Sequence, residues 1–182
     1  MKSAALLAAV LGLAFATTAL ADDNNFWQNP VVHSAGQIHR LPKAAYQPDA
    51  KASYKVVFSV SKGADKPDQI SPALDRVART VNLYASAGVP LSHLHFVAIV
   101  SGTATPLTLD DAHYREKFGV ANPNLVVVDE LKKAGVDVAV CGQAVAEHKF
   151  EYEWLDSRIT LALSAITTLT TLQQQGYALM PL

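Results

Sequence analysis

The sequence predicts an α/β fold built on a parallel sheet, and three observations carry that prediction. β-branched runs at residues 54–60, 94–100 and 136–141 read as buried strands. A helical pattern between the first two places Leu74, Val77, Ala78, Val81 and Ala85 on one face. Strand, helix and strand in that order form a right-handed parallel unit by default.

The elements follow in order. Lys2, an apolar run over residues 4–16 broken only by Gly12, and Thr17-Thr18-Ala19-Leu20-Ala21 before Asp22-Asp23 read as a secretory signal peptide over residues 1–21, cleaved after Ala21. The run falls short of the about 20 apolar residues of a membrane span. A periplasmic or secreted protein is expected, with no membrane association after cleavage. Residues 22–53 form an arm in which Pro30, Pro42 and Pro48 interrupt any periodicity. Phe26, Trp27, Val32, Ile38 and Leu41 are too apolar for a solvated linker, so the arm should pack on the domain or on a neighbouring subunit. Residues 54–182 are then one domain with a proper core.

The first helix is signalled by Ser71 as cap, Pro72 in the first position, Asp75 in the first turn and Gly88 past the end. The second strand leads into a loop, Ser101-Gly102-Thr103-Ala104-Thr105-Pro106, and Asp110-Asp111 start a short helix ended by Gly119. Residues 122–135 are ambiguous, because Val126-Val127-Val128 suits a strand. Asn122 as cap, Pro123 in the first turn, Lys132 and Lys133 near the end and Gly135 beyond it favour a helix. The third strand carries Cys141 and turns into a short helix through His148. After a polar-aromatic connector at 150–156, Ile159, Leu161 and Leu163 alternate briefly. Ile166, Leu169 and Leu172 then continue at helical spacing to Gly176, and residues 177–182 make a last strand.

Composition excludes several functions. Lys and Arg number 15 against 16 Asp and Glu, so no basic field invites nucleic acid, and no basic amphipathic helix invites a membrane surface. No glycine-rich phosphate loop follows a strand, and neither a Gly-x-Ser-x-Gly elbow nor a carboxylate pair is present, so no cofactor and no hydrolase is expected. His93 and His95, two apart at a strand's start, would share a face and are the candidate metal pair. No third ligand has a recognisable spacing, so no metal site is assigned.

Cys141 is the only cysteine and cannot pair within the chain. It is a free thiol, an intermolecular bridge or an inert core residue; free cysteine is among the most buried residue types.

Lys55-Val56-Val57-Phe58, Asn122-Pro123-Asn124-Leu125, Val140-Cys141-Gly142-Gln143, and Leu163-Ser164-Ala165-Ile166-Thr167 followed by Gln173-Gln174-Gln175-Gly176-Tyr177-Ala178-Leu179 resemble the DsrE/DsrF-like proteins. The likeness extends from about residue 30 to the end. It includes the exported members, in the broken arm around Gly36 and Pro42. The resemblance implies a three-layer α/β sandwich on a mostly parallel five-stranded sheet, assembled as a trimer or hexamer. It also implies sulfur carried as a cysteine persulfide between a donor and an acceptor protein. Only Cys141 matches that role. Many exported relatives have His-Gly where this chain has Ser101-Gly102, and a hydroxyl cannot replace an imidazole near neutral pH.

The chemistry of the residues is compatible with this role. A thiolate is the attacking species in sulfur transfer. Amides at the start of the helix after Cys141 would face the sulfur, Gly142 would let the backbone approach it, and Gln143 can donate a hydrogen bond to it or face solvent as an ordinary amide. Ser101 and Gly102 would lie on the same rim, and His148 is near enough in sequence to approach the thiol. Resolving a disulfide needs a second thiol, so one cysteine suits a carrier better than an oxidoreductase. The expectation is an exported sulfur-handling protein whose Cys141 accepts or relays sulfane sulfur. The alternative is a non-catalytic oligomeric binding module with a buried, inert cysteine.

Overall fold

The computed structural model describes residues 26–182, so the expected signal peptide and its cleavage after Ala21 lie outside the described residues. Strands β1 (Tyr54–Val60), β2 (Leu94–Val100), β3 (Asp137–Cys141), β4 (Thr160–Ala162) and β5 (Ala178–Pro181) form one sheet in the order β4-β3-β2-β1-β5. Every neighbouring pair is parallel.

Side chains alternate across the pleat and split the core in two. Val56, Phe58, Val60, Phe96, Ala98, Val100, Val138 and Val140 face the first layer of helices, α1 (Pro72–Ser86) and α3 (Leu125–Lys133). Val57, Ile99 and Ala139 face the second layer, where α5 (Ala165–Gln174) packs through Ala165, Leu169 and Leu172. The chain steps outward from β1 to β4 through crossovers on the first face and returns to β5 through α5 on the second. Right-handed crossovers require that change of face when the direction of travel reverses.

Local signals produced the expected helix ends. The Ser71 hydroxyl accepts the Leu74 amide at 3.4 Å, Pro72 opens α1, and Gly88 follows its end with φ +89°. Asp110 accepts the His113 amide at 2.8 Å to cap α2 (Asp111–Phe118), and Gly119 closes it. The ambiguous valines lie in α3, but that helix begins at Leu125 and Asn122 does not cap it. Asn122 is buried and donates to the carbonyls of Leu107 and Leu109 at 3.0 and 2.8 Å, while its oxygen accepts the Asn124 amide. Buried carbonyls need donors, and this side chain supplies them. The loop expected over residues 101–106 is instead, from Gly102 on, a 3₁₀ helix that runs over Gly102–Thr108. His93 and His95 do not share a strand face: His93 ends the 3₁₀ turn Leu91–His93, and only His95 stands in β2. Among the described residues no group of three or more His, Cys, Asp or Glu is placed to hold a metal ion. No described helix is long and apolar enough to cross a membrane.

The arm packs on its own domain, with Val32, Ala35 and Ile38 buried. Polar side chains of α1 and α3 grip its backbone. Asn82 accepts the amides of Val31 and Val32 at 3.0 and 2.9 Å and donates to the carbonyls of Val32, Ala35 and Gly36. Glu130 accepts the amide and hydroxyl of Ser34, and Asp75 accepts the Gly36 amide at 2.7 Å. Gly36, at φ +70°, lies so close to α1 that a Cβ there would stand 2.2 Å from the Arg79 nitrogen.

Candidate functional site

Cys141 is the last residue of β3, a free thiol only 6% exposed. Its neighbours follow from register. On one side it pairs with Ala162, the last residue of β4. On the other, the β2–β3 ladder ends at the pair Val100 and Val140, so Ser101 stands one position beyond, level with Cys141. Alternation puts Cys141 on the face of Ala139, toward α5.

The chain leaves β3 and β4 in opposite directions. After Cys141 it turns into α4 (Gly142–Glu147), whose Val145 joins the first-face core, and after Ala162 it passes Ser164 into α5 on the second face. Neighbouring parallel strands with connections on opposite faces define a topological switch point, where α/β sheets open a crevice at their C-terminal ends. Cys141 and Ala162 are the paired residues at that point of the sheet.

Gly142 is required by the approach of β4: a Cβ on it would lie 2.9 Å from the Ala162 carbonyl oxygen. Cys141 precedes α4 as its cap residue, and its sulfur accepts no hydrogen bond from the first-turn amides. Gln143 is exposed and donates to the Leu163 carbonyl at 3.2 Å, which ties α4 to the β4–α5 connection. Tyr152 donates to the Gly142 carbonyl at 3.4 Å.

The opposite wall is the start of the 3₁₀ segment. Gly102 has φ +55°, and a Cβ on it would press on the Ser61 carbonyl at 3.0 Å. Thr103 donates to that same carbonyl and accepts the Gly63 amide, which fixes the segment against the loop after β1. The Gly102 carbonyl faces α4 and accepts a hydrogen bond from His148 Nε2 at 2.9 Å, and the His148 ring stacks on Phe150. An imidazole therefore reaches this rim from the end of α4 rather than from position 101.

The structure thus brings Cys141, Gly142, Gln143, Ser101 and Gly102 to one end of the sheet. It adds residues that sequence reading missed: Ala162, Leu163 and Tyr152. The brief alternation of Ile159, Leu161 and Leu163 marked an extended segment there, but the register of β4 against Cys141 left no trace in sequence. Three other histidines are engaged elsewhere: His33 with the Asn29 carbonyl, His39 with that of Phe26, and His113 with Asp110. The rim beyond the thiol is apolar, with Leu163 and Ile166 72% and 76% exposed. At the start of β4 the Arg158 guanidinium, hydrogen-bonded to Asp156 at 2.6 Å, holds that carboxyl below the usual carboxylate range against the opposing effect of burial.

The chain belongs to the DsrE/DsrF-like family, whose model matches residues 54–182. No curated protein matches it. Among solved structures it is similar to the protein of unknown function MTH1491 from Methanobacterium thermoautotrophicum. That likeness is at 15% identity and a TM-score of 0.50, covering 71% of this chain and 100% of the other. At that identity the likeness shows the fold alone, an α/β sandwich on a parallel five-stranded sheet.

Proposed function

We propose that Cys141 accepts or relays sulfane sulfur as a persulfide, in an exported homo-oligomer. One observation carries the reading: the only thiol of the chain ends a strand at the switch point, the end of the sheet where parallel α/β folds usually hold their ligands. Family membership supports a sulfur-relay role in general terms. The thiol first loses its proton to solvent. The thiolate then attacks the outer sulfur of a donor R–S–SH, a new S–S bond forms on Cys141, and RS⁻ leaves. Attack by an acceptor thiolate on the outer sulfur reverses the exchange. Neither cofactor nor second thiol is needed. Ser101 and Gly102 form one wall for the added sulfur, and Gly142 and Gln143 the other.

Export rests on the signal-like composition of residues 1–21 and places the protein in the periplasm or outside the cell. Assembly as a trimer or hexamer is supported by the exposed apolar residues Leu163, Ile166 and Leu179 around α5. A donor or acceptor protein would complete the relay.

A second reading is favoured by the 6% exposure of Cys141: a non-catalytic oligomeric binding module with an inert cysteine. Alkylation of the folded, reduced protein with iodoacetamide separates the two. The sulfur-relay reading expects Cys141 to react in the native state, whereas the second expects labelling only after denaturation.

A further inference from the structure

At the end of the sheet opposite the thiol, the arm, the end of α1 and the start of β1 enclose an open cavity of about 890 Å³. That is within the roughly 300–1,000 Å³ range of small-molecule sites. We propose that it is a second binding site, for a small amphipathic carboxylate.

The body of such a ligand would meet Leu41, Leu83, Tyr54 and Tyr84. Leu41 and Leu83 are 61% and 46% exposed, an unusual amount of bare aliphatic surface inside a concavity. Tyr54 and Tyr84 meet edge to face at 4.6 Å, forming a shaped aromatic wall.

Charge selects the other end of the ligand. Arg40 is the charged residue of the lining, His39 lies beside it, and no carboxylate side chain lines the cavity. Arg40 forms no ion pair among the described residues; its hydrogen bond is a long one, 3.4 Å to the Ser86 carbonyl. The carbonyl end of α1 would by itself favour a cation, but Arg40 already occupies it. A guanidinium without a carboxylate, beside apolar walls, matches a carboxylate on an apolar body.

The lip of the cavity is a built turn. The Gln47 amide donates to the carbonyls of Leu41 and Ala44 at 2.9 and 3.1 Å, and the Ala44 amide donates to the Leu41 carbonyl at 3.0 Å. This turn holds Tyr46 at φ +58° with its side chain wholly exposed. A left-handed backbone is unfavourable for a tyrosine, and this ring packs against nothing among the described residues. A bound ligand would give that ring a surface to close over.

Titrating the mature protein with 4-phenylbutyrate, 4-phenylbutylamine and 4-phenylbutanol, with tyrosine ring signals followed by NMR, tests the site. The carboxylate is expected to shift Tyr46, Tyr54 and Tyr84 saturably and leave residues around Cys141 unmoved. Arg40→Gln, an exposed change whose fold is verified by an unaltered melting curve, should weaken binding about tenfold. Absence of saturable shifts, equal binding of amine and carboxylate, or tyrosine shifts that track protein concentration alone, as when a second copy covers the mouth, would each overturn the proposal.

Discussion

His148 Nε2 lies 2.9 Å from the carbonyl oxygen of Gly102, and through this bond the helix after the cysteine strand holds the 3₁₀ segment after the neighbouring strand. A carbonyl only accepts, so Nε2 carries the hydrogen, and protonation of Nδ1 leaves the bond intact. His148→Ala should cost about 1 kcal/mol in urea unfolding. If persulfide chemistry occurs at this rim, the same change should alter the alkylation rate of Cys141 by more than His33→Ala, whose ring bonds only within the arm.

Gly142→Ala puts a methyl group 2.9 Å from the Ala162 carbonyl oxygen, an atom of backbone rather than of a flexible side chain. The edge strand β4 must move, at a cost of about 1–3 kcal/mol. Denaturant midpoints check the cost, and faster hydrogen exchange in residues 160–162 than in β1 checks its location.

Asn82→Ala removes five hydrogen bonds at once and leaves buried arm amides and carbonyls unpaired. A loss on the order of 3 kcal/mol follows, with protease cleavage appearing first in residues 26–40. An unchanged cleavage pattern would mean that the arm is held by its apolar contacts alone.

Asp156 links stability to acid. Its folded pKa lies below the unfolded value of about 3.9, mainly through the Arg158 hydrogen bond, so the unfolded state takes up the proton first. The stabilisation is fully present above that unfolded value and is lost as pH falls through the lowered folded one. Asp156→Asn should therefore be less stable than the parent at pH 7, with the difference shrinking below about pH 4. Urea titrations at both pH values measure it.

The parts of this fold that were legible in sequence are those fixed by neighbours in the chain. Ser71 with Pro72 and Asp110 with Gly119 marked helix ends because capping is local chemistry, and the run into Cys141 showed as a strand because it is apolar and β-branched. What was hidden depends on contacts between distant residues. Asn122 looked like a cap because caps are its common use, yet the carbonyls of Leu107 and Leu109 claim its amide. His93 and His95 looked like one face of a strand, but the strand begins after His93. The site was half visible: cysteine, glycine and glutamine are contiguous, whereas Ala162 and Leu163 join them only by sheet register. Asn82 did leave a signal, an amide beside Val81 on the helix face otherwise given to Leu74, Val77 and Ala78.

The central claim is that Cys141 carries sulfur, and the mass of the intact protein tests it most directly. The reduced protein, incubated with a small persulfide and freed of excess donor, should gain one sulfur atom that cyanide removes and that Cys141→Ser cannot acquire. No gain in mass, or a gain that persists in Cys141→Ser, would contradict the account.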